Sequence, residues 1–166
     1  MAVLPILLWP DARLSVVCDP VAAGADLSGL IADMFDTMYA APGRGLAAPQ
    51  VGVMQRVFVM DCTWKEGARS PMAFINPVVV ARAEQMACAD EGCLSIPGVL
   101  VPVTRPVWVE LAWTTAEGDA EQRRFDGFSA LCVQHEFDHL NGVVSLRHLG
   151  KAARLVAEAQ YGEVGS

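Results

Sequence analysis

Between Asp26 and Tyr39 the apolar residues Leu27, Leu30, Ile31, Met34, Phe35 and Met38 recur at three- and four-residue intervals. That period places them on one face of an α-helix. The pattern predicts a helix capped near Asp26 and ended before Pro42-Gly43. A glycine-rich loop, Gly43 to Gln50, follows. Residues 56–62 and 73–80 read as strands, with Pro77 marking an edge or a bulge. Residues 107–113 and 121–125 read as a hairpin turning about Glu117-Gly118-Asp119. Phe128 to Asn141 is a second predicted helix with Asn141-Gly142 as its stop, and Lys151 to Gln160 a short third. The apolar start, Met1 to Trp9, lacks a basic leader and is broken by Pro5, so it reads as a first strand or extended arm and not a signal peptide. Strands followed by a late helix predict a single α+β domain over residues 1–166, its antiparallel strands packed around that helix.

Composition narrows the class. With 53% hydrophobic and 19% charged residues the chain is globular and not disordered. No apolar run approaches the ~20 residues that span a bilayer, so no membrane partner is expected. A net charge of −7 argues against general nucleic-acid binding, which needs clustered Lys and Arg. The five cysteines, Cys18, Cys62, Cys88, Cys93 and Cys132, are odd in number and lack framework spacing, which predicts reduced thiols and a cytoplasmic protein.

The candidate chemistry lies in Gln134-His135-Glu136-Phe137-Asp138-His139, an H-E-x-x-H segment within the second predicted helix. Residues four apart share a helix face, so the two imidazoles can meet one cation while Glu136 reaches a water beside it. A catalytic site of this kind keeps three protein ligands and one open position. Downstream candidates for the third ligand fail: Gly142 fits the metzincin pattern, but Ser145 stands where its third histidine belongs, and His148 lies too late. Upstream, Cys93 in Glu91-Gly92-Cys93-Leu94-Ser95-Ile96-Pro97-Gly98 is the strongest candidate, because the flanking Gly and Pro favour a constrained turn. The competing expectation is a small buried apolar cysteine. Cys132, on a face of the helix close to that of His135, lines either a pocket or the core, and Cys18, Cys62 and Cys88 read as structural.

Taken together, Gly43 to Gln50 (G-x-G-L-A-A-x-Q), Glu91 to Ser95 (E-G-C-L-S) and Gln134 to His139 (Q-H-E-x-D-H) resemble, in that order, the motifs of the peptide deformylase family, and the resemblance covers nearly the whole chain. It implies a metal-dependent hydrolase that removes formyl from the N-terminal formylmethionine of nascent peptides and releases formate. By the same resemblance Cys93, His135 and His139 are the metal ligands, and the divalent ion is Fe(II) in the cell, with Zn, Ni or Co able to replace it. Glu136 is then the catalytic base and acid. Gln50 and the backbone N–H of Leu94 hold the formyl oxygen, and Gly45 contacts the substrate backbone. Arg44, Phe128, Leu131 and Cys132 line the pocket for the methionine side chain. Glu91 and Arg105 match a carboxylate and an arginine expected to pair and brace the Cys93 loop.

The chain departs from the family pattern at Arg44, where an aliphatic residue is common, and at Leu100, where an arginine is common. Ser145 and Arg147 replace a phenylalanine and an aspartate. The tail ends in Glu163-Val164-Gly165-Ser166 and not in a basic helix, which leaves at most a transient ribosome contact. These changes bear on specificity. Two alternatives follow: a related hydrolase for another N-acyl substrate, and a metal-holding module that binds formylated N-termini without turnover.

Overall fold

The computed structural model describes residues 2–164. The first predicted helix is α1, Ser28–Ala40. The N-cap position is Leu27, one residue after the expected Asp26, whose carboxylate accepts from the Ser28 backbone N–H at 3.0 Å. The glycine-rich loop contains a short strand, β1 (Gly45–Ala47), and then a single 3-10 turn over Ala48–Val51. Next come β2 (Val57–Met60) and β3 (Met72–Arg82). Strands β4 (Met86–Cys93) and β5 (Ile96–Pro106) pair as a separate ribbon. The predicted hairpin is β6 (Trp108–Thr114) and β7 (Ala120–Asp126), with Gly118 at φ +90° in its turn. Helix α2 spans Gly127–Leu140, and α3 runs Lys151–Val164, longer than expected.

Strands β1, β2, β3, β6 and β7 form an antiparallel sheet in the order β1-β2-β3-β6-β7. Its register breaks between Ile75 and Val78, so the bulge that Pro77 suggested is present. Asn76 adopts φ 49° there, and its side-chain amide exchanges hydrogen bonds of 2.8 and 2.9 Å with the Val21 backbone. The alternation of β2 explains the layering. Phe58 and Met60 join the core against α2, while Val57 and Val59 join the core against α1. The ribbon makes a third cluster, in which Ile96, Val99, Val101 and Val103 pack with Leu146 and Ala157. The N-terminal segment makes no strand; it lies as an extended arm, tied by Leu7 N–H to Gln50 O at 2.7 Å and by Trp9 N–H to Ser95 O at 2.9 Å.

Candidate metal centre

Helix α2 places His135, Glu136 and His139 on its buried side. It stops at Asn141-Gly142 as predicted, where Gly142 takes φ +72° and a Cβ would meet the Ser15 backbone at 2.7 Å. Cys93 comes from elsewhere: it is the last residue of β4, and Leu94-Ser95 make the tight turn into β5. One ligand atom from each of Cys93, His135 and His139 lies within 4.8 Å of the others, and all three residues are buried. The Cys93 Sγ to His139 Nε2 distance is 3.5 Å. A tetrahedron with metal–nitrogen bonds of ~2.0 Å and metal–sulfur bonds of ~2.3 Å has edges of roughly that length, so the donor set fits one divalent ion.

The surrounding groups hold these donors in place. His135 Nδ1 donates to Glu91 Oε1 at 2.9 Å, which leaves Nε2 facing the other ligands. Glu91 also accepts from Arg105 Nε at 2.6 Å and Nη2 at 2.9 Å, so the expected pair exists and extends to a histidine of the candidate donor set. Asp138 takes no ligand imidazole; it accepts from Arg105 Nη1 at 2.9 Å and contacts His148 Nε2 at 2.8 Å.

Charge follows this geometry. Burial would raise the Glu91 carboxyl, but Arg105 and His135 outweigh burial and hold it down at about 2. Burial lowers His139 well below its ordinary range, with His135 and Arg105 adding to the effect, so it stays a neutral donor. Burial works the same way on His135, yet Glu136, Cys93 and Glu91 together raise it. Burial pushes the Glu136 carboxyl up to about 7, against the pull of His135. Its Oε1 is buried without a protein partner. A carboxyl in that state is suited to exchanging a proton.

A cavity of about 730 Å³ opens onto this set. Arg44, Gly45, Gln50, Leu94, Phe128, Leu131, Cys132 and Glu136, all singled out from sequence, line it together with Leu100. Gln50 is anchored at both ends: its Oε1 accepts from Ala47 N–H at 2.9 Å, and its Nε2 reaches Ser95 Oγ at 3.0 Å and Cys93 Sγ at 3.7 Å. Gly45 passes so close to Glu136 that a Cβ there would sit 2.6 Å from Oε2. The Arg44 guanidinium lies 5.1 Å over the Phe128 ring and pairs with Glu66 at 3.1 Å. Cys62, read as structural, packs against the core shared by the sheet and α2. Sequence reasoning missed one feature: Trp64 Nε1 donates to Gly43 O at 2.9 Å and so secures the loop that carries Arg44 and Gly45.

An α+β domain that brings a buried Cys-His-His donor set, a buried carboxyl and an anchored amide to one cavity defines a metal-binding hydrolase of the H-E-x-x-H class. The particular family follows from comparison. Residues 3–154 match the family model described as polypeptide deformylase. A peptide deformylase of Rhodopseudomonas palustris (strain BisB18) is 42% identical over 164 residues, covering 97% of this chain and 94% of that protein. One from Afipia carboxidovorans is 44% identical over 155 residues, covering 93% and 91%. The crystal structure of a peptide deformylase from Legionella pneumophila superposes with a TM-score of 0.92 at 36% identity, covering 99% and 96% of the two chains. The chain belongs to the polypeptide deformylase family.

Proposed function

We propose that this chain hydrolyses the formyl group from the N-terminal formylmethionine of newly made polypeptides and releases formate, with residues 1–166 acting as one catalytic domain. The observation that carries this reading is that Cys93, His135, Glu136 and Gln50 line one cavity, with buried His139 completing the donor set of Cys93 and His135. A divalent ion held by Cys93, His135 and His139 would supply Lewis acidity and draw the pKa of a water toward neutrality. Glu136 is placed to take a proton from a water that attacks the formyl carbon and to deliver it to the departing amine. Negative charge grows on the formyl oxygen during attack. The Gln50 amide, fixed by Ala47 and Ser95, and the Leu94 N–H in the β4–β5 turn stabilise it, each donor contributing on the order of 3 kcal/mol. Gly45, on the sheet's edge strand, offers its backbone to the peptide. Phe128, Leu131, Cys132 and the aliphatic stem of Arg44 surround the methionine side chain.

Thiolate and imidazole donors suit Fe(II), Zn, Ni or Co and not Mg or Ca; the reading takes Fe(II) as the cellular ion. The five free cysteines support a reducing cytoplasm as the site of action. Among the described residues no helix is long and apolar enough to cross a membrane. The tail carries Glu158 and Glu163 beside Lys151 and Arg154, which supports no more than a transient ribosome contact. Gly165 and Ser166, the end of that tail, lie outside the described residues.

Formyl-Met-Ala-Ser tested beside acetyl-Met-Ala-Ser is the direct assay of substrate class. The formyl peptide should turn over with kcat/KM above about 10⁴ M⁻¹s⁻¹ and the acetyl peptide far more slowly. Preference for the acetyl peptide would overturn the reading in favour of another N-acyl substrate.

A further inference from the structure

Arg44 puts a cation in the wall of a pocket whose other walls are apolar, and the protein uses little of that cation. Its guanidinium lies 5.1 Å over the ring of Phe128, which is itself exposed and so stands at the rim of the cavity. Its Nη2 donates to Glu66 Oε1 at 3.1 Å, and among the described residues its other N–H groups have no hydrogen-bond partner. A guanidinium has five such donors, so most of the fork is free. Glu66 is 62% exposed, and a contact made that close to water holds its partner weakly.

A second cation shares the lining. Lys65 borders the same cavity and among the described residues has no ion pair; its Nζ lies 5.7 Å over the Trp64 ring. Lys65 and Glu66 belong to the 3-10 turn Trp64–Glu66. Trp64 fastens that turn to the loop carrying Arg44, since Nε1 donates to Gly43 O at 2.9 Å and the indole meets the Tyr39 ring edge-on at 5.2 Å. The other charges in the lining lie elsewhere: Glu91 is held by Arg105, Glu136 is the carboxyl beside the donor set, and Asp90 belongs to the β4–β5 ribbon. Even with Glu66 counted, the wall formed by the β1 loop and the turn after β2 carries net positive charge.

We infer that Arg44, with Lys65 on the same wall, makes this chain selective for formyl peptides that carry a carboxylate on their third residue. The inference rests on the deformylase reading and adds a substrate class to it. Side chains of an extended peptide alternate, so the third residue points to the same side as the methionine, roughly 7 Å further along. With the methionine side chain among Phe128, Leu131 and Cys132, the third side chain emerges at the rim, where the Arg44 guanidinium covers Phe128. A glutamate there accepts from the free N–H groups of Arg44 while exposed Glu66 turns to water. A glutamine of the same shape lacks the charge that makes this bond strong.

The test compares formyl-Met-Ala-Glu-Ala-amide with formyl-Met-Ala-Gln-Ala-amide, both amidated so that no terminal carboxylate competes. Formate release by the zinc-loaded protein gives kcat/KM, and calorimetry with the zinc-loaded Glu136→Ala variant gives Kd without turnover. Both readouts should favour the glutamate peptide by about two- to fivefold at low salt. The preference should be largest near about 10 mM salt and fall toward parity by about 1 M. Arg44→Leu should bring the ratio to parity whatever its own rate, and Glu66→Gln, which removes the competing carboxylate, should raise the ratio above the parent's. Parity in the parent, a preference that survives Arg44→Leu, or an equal preference for formyl-Met-Glu-Ala-Ala-amide over its glutamine counterpart would overturn the inference. Turnover of both peptides at equal kcat/KM and equal Kd counts against this inference alone. A Kd preference without any turnover counts against the deformylase reading alone.

Discussion

Replacing Glu91 by Gln tests how the donor set is held. The carboxylate is buried and accepts three charge-assisted bonds, two from Arg105 at 2.6 and 2.9 Å and one from His135 Nδ1 at 2.9 Å. Glutamine keeps the shape but removes the charge and one acceptor oxygen. Arg105, 5% exposed, then keeps only Asp138 at 2.9 Å as a charged partner. Breaking a buried pair on one side costs about 3–5 kcal/mol, and the surviving Asp138 contact places this case near the lower end, at about 3 kcal/mol. For a chain of this size each kcal/mol shifts Tm by about 2–4 °C, so the variant should melt about 6–12 °C lower. Differential scanning calorimetry in the presence of a chelator measures this without a contribution from bound ion. The same substitution frees the His135 ring, and zinc affinity should fall about 10–100-fold in competition with a chromophoric chelator. A Tm within about 2 °C of the parent together with unchanged zinc affinity would refute the argument that this carboxylate braces the site.

Other substitutions probe the remaining parts. Gly45→Ala places a methyl 2.6 Å from Glu136 Oε2 and should lower kcat at least tenfold by displacing the carboxyl, with zinc content by atomic absorption unchanged. Gln50→Ala removes an oxyanion donor and should lower kcat by about 10²–10³ in the formate-release assay. Asp61 supplies the pH test. Burial would raise it, but bonds from Tyr39, Ser70 and Thr63 outweigh burial and hold it below its ordinary 3.8. Its stabilisation is therefore present above that value and lost as pH falls through the lower folded value. Between about pH 5 and about pH 3, Tm of Asp61→Asn should accordingly fall less steeply than that of the parent.

The helices were legible because each has a single apolar face and a definite stop. The period from Leu27 to Met38 and the Asn141-Gly142 terminus place α1 and α2 within two residues of where they lie. The β4–β5 ribbon was not legible. Pro97, Gly98, Pro102 and Pro106 interrupt β5, although Val99, Val101 and Val103 alternate inward along it. A two-stranded ribbon leaves one edge of β5 without a partner strand, and Pro102 and Pro106, an even number of residues apart, can turn their missing N–H groups to that edge. Strand β1 hid inside the glycine-rich loop because three residues are too few for an alternating signal. At the site, H-E-x-x-H declared two donors through helix spacing alone. Cys93 stood out as a candidate through the Gly and Pro around it, but only the family motif assigned it the role, since nothing local says that a hairpin turn will deliver it to α2. The bond from Trp64 to the Gly43 carbonyl depends on how the segment after β2 folds back on the glycine-rich loop, and no spacing along the chain encodes it.

The most direct test of the central claim is formate release from formyl-Met-Ala-Ser by the parent and by Glu136→Ala, each first shown to hold one divalent ion per chain. Turnover in the parent that collapses in the variant, with the ion retained, is the predicted result. Equal turnover in the two, or none in the ion-loaded parent, would contradict it.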